Sequence, residues 1–390
     1  MITVLVPWLV LRRTDNAAYA GLVNSAALVA AVVSLLFGAA IVDRWNRRNL
    51  SVGADLLSAV AVVAIPVADW LFDVSITMIV VLVAIGALFD GPGRSAREAM
   101  RPDIATRSGV TLERTNALGE VVDGVGNVAG PAGAGVAVAA IGLSGSFWLS
   151  AALLAAGGLV FLLVKSPAPR PAAADAGDGD DEESYLAATV DGFRRVWRDP
   201  VLRATAISAS LFGFFLAPIV LVLTASFESQ GRAAALGGVL AAFSIGAILG
   251  TVAYAAVGEG LRRRPLVIAG SAAAAVGIGA MAALLENYVP LIIVTLVAGI
   301  VVGPLGPVFS VIIQQRAPDA IRGRVLATLG TLELVAAPLS LAIAGVRIEV
   351  LGTATSMGII AAGGGIATLY TALAPGLRRI EAADLVADPN

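Results

Sequence analysis

Apolar residues along this chain come in blocks of about twenty, separated by short polar segments rich in arginine. A helix rises about 1.5 Å per residue, so a block of that length covers the ~30 Å hydrocarbon core of a bilayer. The blocks lie at 17–42, 51–70, 74–91, 115–140, 146–165, 203–227, 235–257, 265–285, 288–311, 325–346 and 352–374. They predict eleven full membrane-spanning helices. A further apolar stretch, Met1 to Leu11, is too short to cross and has no basic region before it, so it does not read as a signal peptide. It is expected to be part of an incomplete first helix, with about 15–25 residues upstream in the native protein to make up a full crossing, or a misassigned start.

The arginines between the blocks set an orientation, because cytoplasmic loops collect basic residues. With the segment 43–49 placed inside, all but four of the 26 basic residues fall on the cytoplasmic side, the exceptions being Arg12, Arg13, Arg232 and Arg347. Trp70 and Trp148 then fall at outer edges and Trp45 and Trp197 at inner ones, as interfacial aromatic belts require. One segment departs from the block pattern. Ser166–Ser184 is Pro/Ala-rich and then acidic, cannot bury a core, and is expected to be a disordered cytoplasmic linker. Tyr185–Arg198 follows as an amphipathic surface helix with Phe193 and Trp197 on one face. The expected organisation is a transmembrane bundle at 1–165, linker and surface helix at 166–202, a second bundle at 203–374 and a cytoplasmic tail at 375–390. The halves echo each other: Gly21 precedes Arg47 by the same interval as Gly238 precedes Arg264, and the RPD of Arg101–Asp103 matches the RAPD of Arg316–Asp319. Internal repeats of this kind are a feature of secondary transporters.

Composition narrows the function. The chain is 58% hydrophobic and only 14% charged, with a mean hydropathy of +0.89, against about 25% charged in soluble domains. No basic face suits a nucleic acid. There is no Cys, hence no disulfide, thiol nucleophile or Cys metal site, and no His, which excludes a Ser-His-Asp arrangement. No GxxxxGK[ST] loop occurs, so ATP is not hydrolysed by that route. The reading is of a protein that is not an enzyme and carries no cofactor or metal.

Ionised groups inside a span are costly and usually face a cavity or the bundle interior. Those found are Asp55, Glu120, Asp123 and Glu333. Asp55, a turn into its helix, is expected to pair with a nearby arginine. Glu120, Asp123, Asn127, Gly130 and Ala134 form one stripe along the fifth helix, so the two acids point into the protein. Carboxylates this close resist being ionised together, which suits a proton-coupling site. The alternative is that both anchor the helix by pairing with Arg114 or Arg97. Glu333, alone in the eleventh helix, is a coupling candidate or an acid satisfied by neighbouring hydroxyls.

Three segments carry a family resemblance. The first is GAAIVDRWNRR, Gly38–Arg48, joining the second and third helices; the second is GNVAGPAGAG, Gly126–Gly135, in the fifth; the third is QQRAPDAIRGRV, Gln314–Val325. Together with DGPGRSAREAMRPDI at Asp90–Ile104 they resemble the major facilitator superfamily, and within it the branch of enterobactin exporters and macrolide efflux proteins. Ala39 and Asn46 stand where the family pattern has Gly, and Ala134 replaces one Gly of the exporter element. The resemblance implies an all-α integral membrane fold of two six-helix bundles, twelve helices with the first truncated, in the cell membrane. It implies secondary active transport by alternating access, expected as proton-coupled efflux of a small amphipathic organic molecule (a drug, macrolide or siderophore) by a monomer in the lipid bilayer. Asp43, Arg44, Arg47, Arg48, Arg94 and Arg97 would form the cytoplasmic gate, and Gly126, Gly130, Pro131 and Gly135 the exporter element. Asp123, Glu120 and Glu333 would be the proton-coupling candidates. A truncated relative that senses or binds without transporting is the alternative.

Overall fold

The computed structural model describes residues 1–44, 46–72, 74–164, 193–194, 196–257, 261–316 and 322–380. Within helices, the side chains at 35–44, at several positions between 112 and 128, at 314 and at 322–335 are also outside the described set. The elements are α1 Ile2–Thr14, α2 Ala17–Arg44, α3 Arg47–Phe72, α4 Ile76–Ser108, α5 Leu112–Phe161, α6 Pro200–Leu216, α7 Ile219–Ser229, α8 Ala233–Val257, α9 Arg263–Leu284, α10 Tyr288–Val302, α11 Leu305–Arg316, α12 Arg322–Leu351 and α13 Thr353–Leu373. A 3-10 turn at Pro375–Arg379 follows. Among the described residues, nine helical stretches are long and apolar enough to cross a membrane. Large apolar side chains stand bare on their flanks, such as Trp70 at 84% and Val276 and Val350 at 72% exposure. Lipid covers such a surface without penalty.

Over their described residues, the eleven blocks read from the sequence are mostly helical. The blocks at 115–140 and 146–165 meet in α5, which is broken at Gly142, where φ is 74° and ψ 173°. That conformation suits a residue without a Cβ. The third block continues further than expected. The apolar block ends at residue 91, yet the helix goes on through DGPGRSAREAMRPDI, and α4 runs unbroken to Ser108. Pro92 has no N–H to offer Leu88, four residues back, and such a gap normally ends or kinks a helix. Here the Ser34 hydroxyl of α2 donates to the Leu88 carbonyl at 2.6 Å. The freed acceptor is satisfied from a neighbouring helix, as membrane proteins allow.

The chain forms two compact units: Met1–Asp175 with Phe227–Gly237, and Ala176–Ser226 with Gly238–Asn390. In the first, α4 lies against both α2 and α3. It comes close because glycines face its neighbours: a Cβ on Gly91 would sit 2.4 Å from Ser34 Oγ, and one on Gly93 2.7 Å from Ala54 Cβ. Val4 to Leu11 of α1 are all buried, against α2 and α5. At the far end of α1, Arg13 pairs with Asp69 of α3. In the second unit the core gathers Val201, Val267, Val308, Ile312 and Leu377.

Candidate functional site

A polar seam runs between α3 and α4 in the first unit. Ser58 of α3 is buried, and its hydroxyl lies 3.0 Å from Asp90 Oδ1 and 3.2 Å from the Gly86 carbonyl, both on α4. A serine has one hydrogen to give and two lone pairs to receive. It can donate to an ionised Asp90, or accept from a protonated one while donating to Gly86. The pair is therefore satisfied in both protonation states. Two turns further along the same face of α4, Arg97 places Nη1 at 2.9 and 3.0 Å from the two Asp55 oxygens and donates to Ser51 Oγ at 3.1 Å. The second half of α5 closes on this pair through Gly158, whose Cβ, if present, would lie 3.1 Å from Asp55 Cβ. Asp55 thus has an arginine partner.

Beyond the seam, Arg47 donates to the Ala99 carbonyl at 3.3 Å and Arg48 to the Val164 carbonyl at 3.5 Å. Arg94 pairs with Glu98 one turn on, at 3.3 Å and largely in the open. Of the gate residues read from the sequence, the structure thus ties Arg47, Arg48 and Arg97 to carbonyls or acids of α3, α4 and the end of α5. Asp43, Arg44, Glu120, Asp123 and Glu333 have helical backbones, but their side chains lie outside the described residues. The linker 166–184 also lies outside them. Phe193 and Trp197 do share a face, with ring centroids 5.3 Å apart and stacked.

The four residues of the α5 element differ in their surroundings. Gly126 has open space where a Cβ would go, whereas a Cβ on Gly130 would lie 3.0 Å from the Met1 nitrogen. Pro131 lies inside the helix. Gly135 is pressed against the backbone of α8, where a Cβ would come within 2.5 Å of Gly237 N and 2.6 Å of Ala233 O. In the second unit, Asp199 caps α6 by accepting from the Val201 and Leu202 amides, and its other oxygen takes Arg316 Nε at 2.9 Å.

Asp90 is the polar residue that sequence reasoning passed over. It stands at the end of an apolar block, before Gly-Pro-Gly, and so reads as the first residue of a loop. The counter-signal was the run SAREAM, whose residues favour a continuing helix.

Comparison with known proteins bears on this arrangement. A family model described as Major Facilitator Superfamily matches residues 1–234. The chain is 34% identical over 347 residues to the multidrug efflux pump Tap of Mycolicibacterium fortuitum, covering 87% of this chain and 83% of that protein. It is 30% identical to the multidrug efflux pump Tap of Mycobacterium tuberculosis H37Rv, covering 87% and 81%. Among solved structures, the nucleoside transporter NupG superposes with a TM-score of 0.72 at 15% identity, over 95% of this chain and 93% of that one. A D-xylose-proton symporter gives 0.66 at 15% identity, over 92% and 88%. At such identity these structures speak for the fold alone.

Proposed function

Because the chain belongs to the major facilitator superfamily, we propose that it exports small amphipathic organic molecules from the cell, driven by protons moving the other way. The observation that carries this reading is identity of 30–34% to multidrug efflux pumps along 87% of the chain. That extent leaves the idea of a non-transporting relative without support. Substrate movement would follow alternating access, with each bundle of helices moving as a body. Orientation would follow the arginines, with 166–202 and 375–390 in the cytoplasm, and the working form would be a monomer.

Within this reading, the arginine-rich end of α2–α4 is the inner gate. Asp43 would latch it against basic residues nearby, Arg94 or Arg97, of which Arg97 is also bonded to Asp55. Proton coupling falls to a carboxylate, because the chain has no His. Asp123, Glu120 and Glu333 are candidates by their place in spans, and Asp90 joins them by its bond to Ser58. In the α5 element, Gly135 would hold the helix closely against α8 while Pro131 lets it bend.

The test is accumulation of a panel of dyes, macrolides and siderophores in cells that lack or overexpress the chain. Overexpression should lower accumulation of at least one compound, and a protonophore should restore it. Lowered accumulation that a protonophore leaves untouched would remove the proton coupling, and no change for any compound would remove efflux.

A further inference from the structure

An apolar cavity of about 260 Å³ lies inside the second unit, walled by α6, α7, α8, α9 and α10. Its lining includes Leu216, Ile219, Phe243, Met281 and Ala298, and Thr295 is its one polar side chain among the described residues. Thr295 Oγ1 donates to the Leu291 carbonyl at 2.7 Å, so the lone pairs on its oxygen remain to accept one bond.

Two of the walls are broken helices, and both breaks border the cavity. The stretch Pro200–Ser229 is interrupted between Leu216 and Ile219, at Pro218. The carbonyl that Pro218 leaves without a donor, that of Phe214, is taken by the Ser340 hydroxyl. The stretch Tyr288–Ile313 is interrupted between Val302 and Leu305, at Pro304, and there the Gly303 carbonyl is taken by Thr251 at 3.1 Å. At the first break the freed carbonyl is thus taken by a hydroxyl of another helix, and at the second a hydroxyl of α8 reaches the carbonyl next to Pro304. Discontinuous helices are where transporters build binding sites.

We propose that this cavity is a binding subsite for an uncharged fused-ring or aryl portion of a transported molecule. It rests on the export reading above and goes further in naming the chemistry and the place. Among the described residues the lining has no charged group, so an ammonium or carboxylate would be unpaired against them, whereas a ring system leaves water at no polar cost. The size sets how much of a ligand fits. A cavity of about 150 Å³ takes a single benzene ring, and drug-sized pockets begin at about 300 Å³. A volume of 260 Å³ therefore suits two or three fused rings, with the remainder of a larger molecule outside. Met281 adapts its shape readily, and a single acceptor on Thr295 tolerates many partners. Both properties favour a subsite that accepts varied ring systems. A lipid acyl chain shares the same apolar chemistry and is the competing occupant.

The experiment uses the full chain in lipid nanodiscs and, as the probe, Nile red, an uncharged dye of four fused rings that would lie partly in the cavity and partly outside it. Ala298→Phe fills the cavity and should weaken dye binding tenfold or more at an unchanged melting temperature. Met281→Ala enlarges it and should shift the preference toward a dye with one more fused ring. If Ala298→Phe does not fold, Met281→Ala decides alone, and unchanged affinities for both dyes overturn the proposal. In a parallel arm the nanodisc lipids carry a diazirine on the acyl chain. Crosslinks to cavity residues that Nile red does not suppress would assign the cavity to lipid and overturn it, while suppression supports it. Flux of Nile red from proteoliposomes is measured separately. Binding that responds to Ala298→Phe without any flux would leave the subsite standing and remove the export reading.

Discussion

A carboxylate placed deep in a spanning helix must be satisfied in whichever protonation state it holds. Asp90 lies fourteen residues into α4, about 21 Å along the helix at ~1.5 Å per residue and so still within the length of a ~30 Å hydrocarbon core. Its partner Ser58 serves both states, through the alternative acceptor at Gly86. The charges facing it among the described residues are Asp55 on α3 and Arg97 on its own helix, already bonded to each other. Asp90 can therefore change charge without unmaking an ion pair. The expected outcome for Asp90→Asn is loss of substrate-driven proton movement in proteoliposomes, with dye binding retained. Ser58→Ala should keep proton movement and displace its pH profile, because Asp90 loses the partner that adapts to it. Wild-type proton release by Asp90→Asn would return the coupling role to Asp123, Glu120 or Glu333.

Proline inside a spanning helix is managed by hydroxyls on a neighbouring helix, at Pro92 by Ser34 and at Pro218 by Ser340. A buried carbonyl stripped of its donor costs about 1–3 kcal/mol. Ser34→Ala should destabilise the protein by that amount in thermal unfolding. Pro92→Ala in the same background should recover most of the loss, since residue 92 regains an N–H for Leu88. A double variant no more stable than Ser34→Ala would show that the hydroxyl does something else. The same device explains what was legible. The spans could be read because hydrocarbon thickness demands about twenty apolar residues whatever the packing. The end of α4 could not, because Gly-Pro-Gly is a loop signal unless a donor stands opposite, and that donor is 54 residues away in sequence. The arginines at the shared end of α3 and α4 were visible from their clustering, while partners such as the Ala99 and Val164 carbonyls leave no mark in the side-chain pattern. The α5 element was visible as a run of small residues, yet only the structure separates Gly135, with no room for a Cβ, from Gly126, which has space. Gly135→Ala should accordingly impair folding or transport and Gly126→Ala neither, as judged by expression and dye efflux.

Across the whole chain, a pair of neighbouring arginines recurs in each unit, and the second arginine of each pair reaches a carbonyl at or just past a helix end. In the first, Arg47 reaches Ala99 of α4 and Arg48 reaches Val164, just past α5. In the second, Arg263 reaches Gln315 near the end of α11 at 2.7 Å, and Arg264 the Ala372 carbonyl at the end of α13 at 3.1 Å. The echo in the sequence set Arg47 beside Arg264; the contacts pair Arg47 with Arg263 and Arg48 with Arg264, a shift of one residue. The chemistry behind the repetition is simple. The last carbonyls of a helix have no donors of their own and carry the negative end of its dipole. A cation there is worth about 0.3–1 kcal/mol when exposed and up to ~2 when partly buried. Arg48 joins the start of α3 to the chain just past α5, and Arg264 the start of α9 to the end of α13, so each ties together segments distant in sequence. Each should therefore matter to its own unit in the same way. Arg48→Ala and Arg264→Ala are each expected to lower thermal stability by about 1 kcal/mol and to slow dye efflux to a similar degree. Arg48→Lys and Arg264→Lys, which keep the charge, should retain most of the stability. A large effect from one alanine variant and none from the other would mean that the two arginines share a position in the repeat without sharing a role.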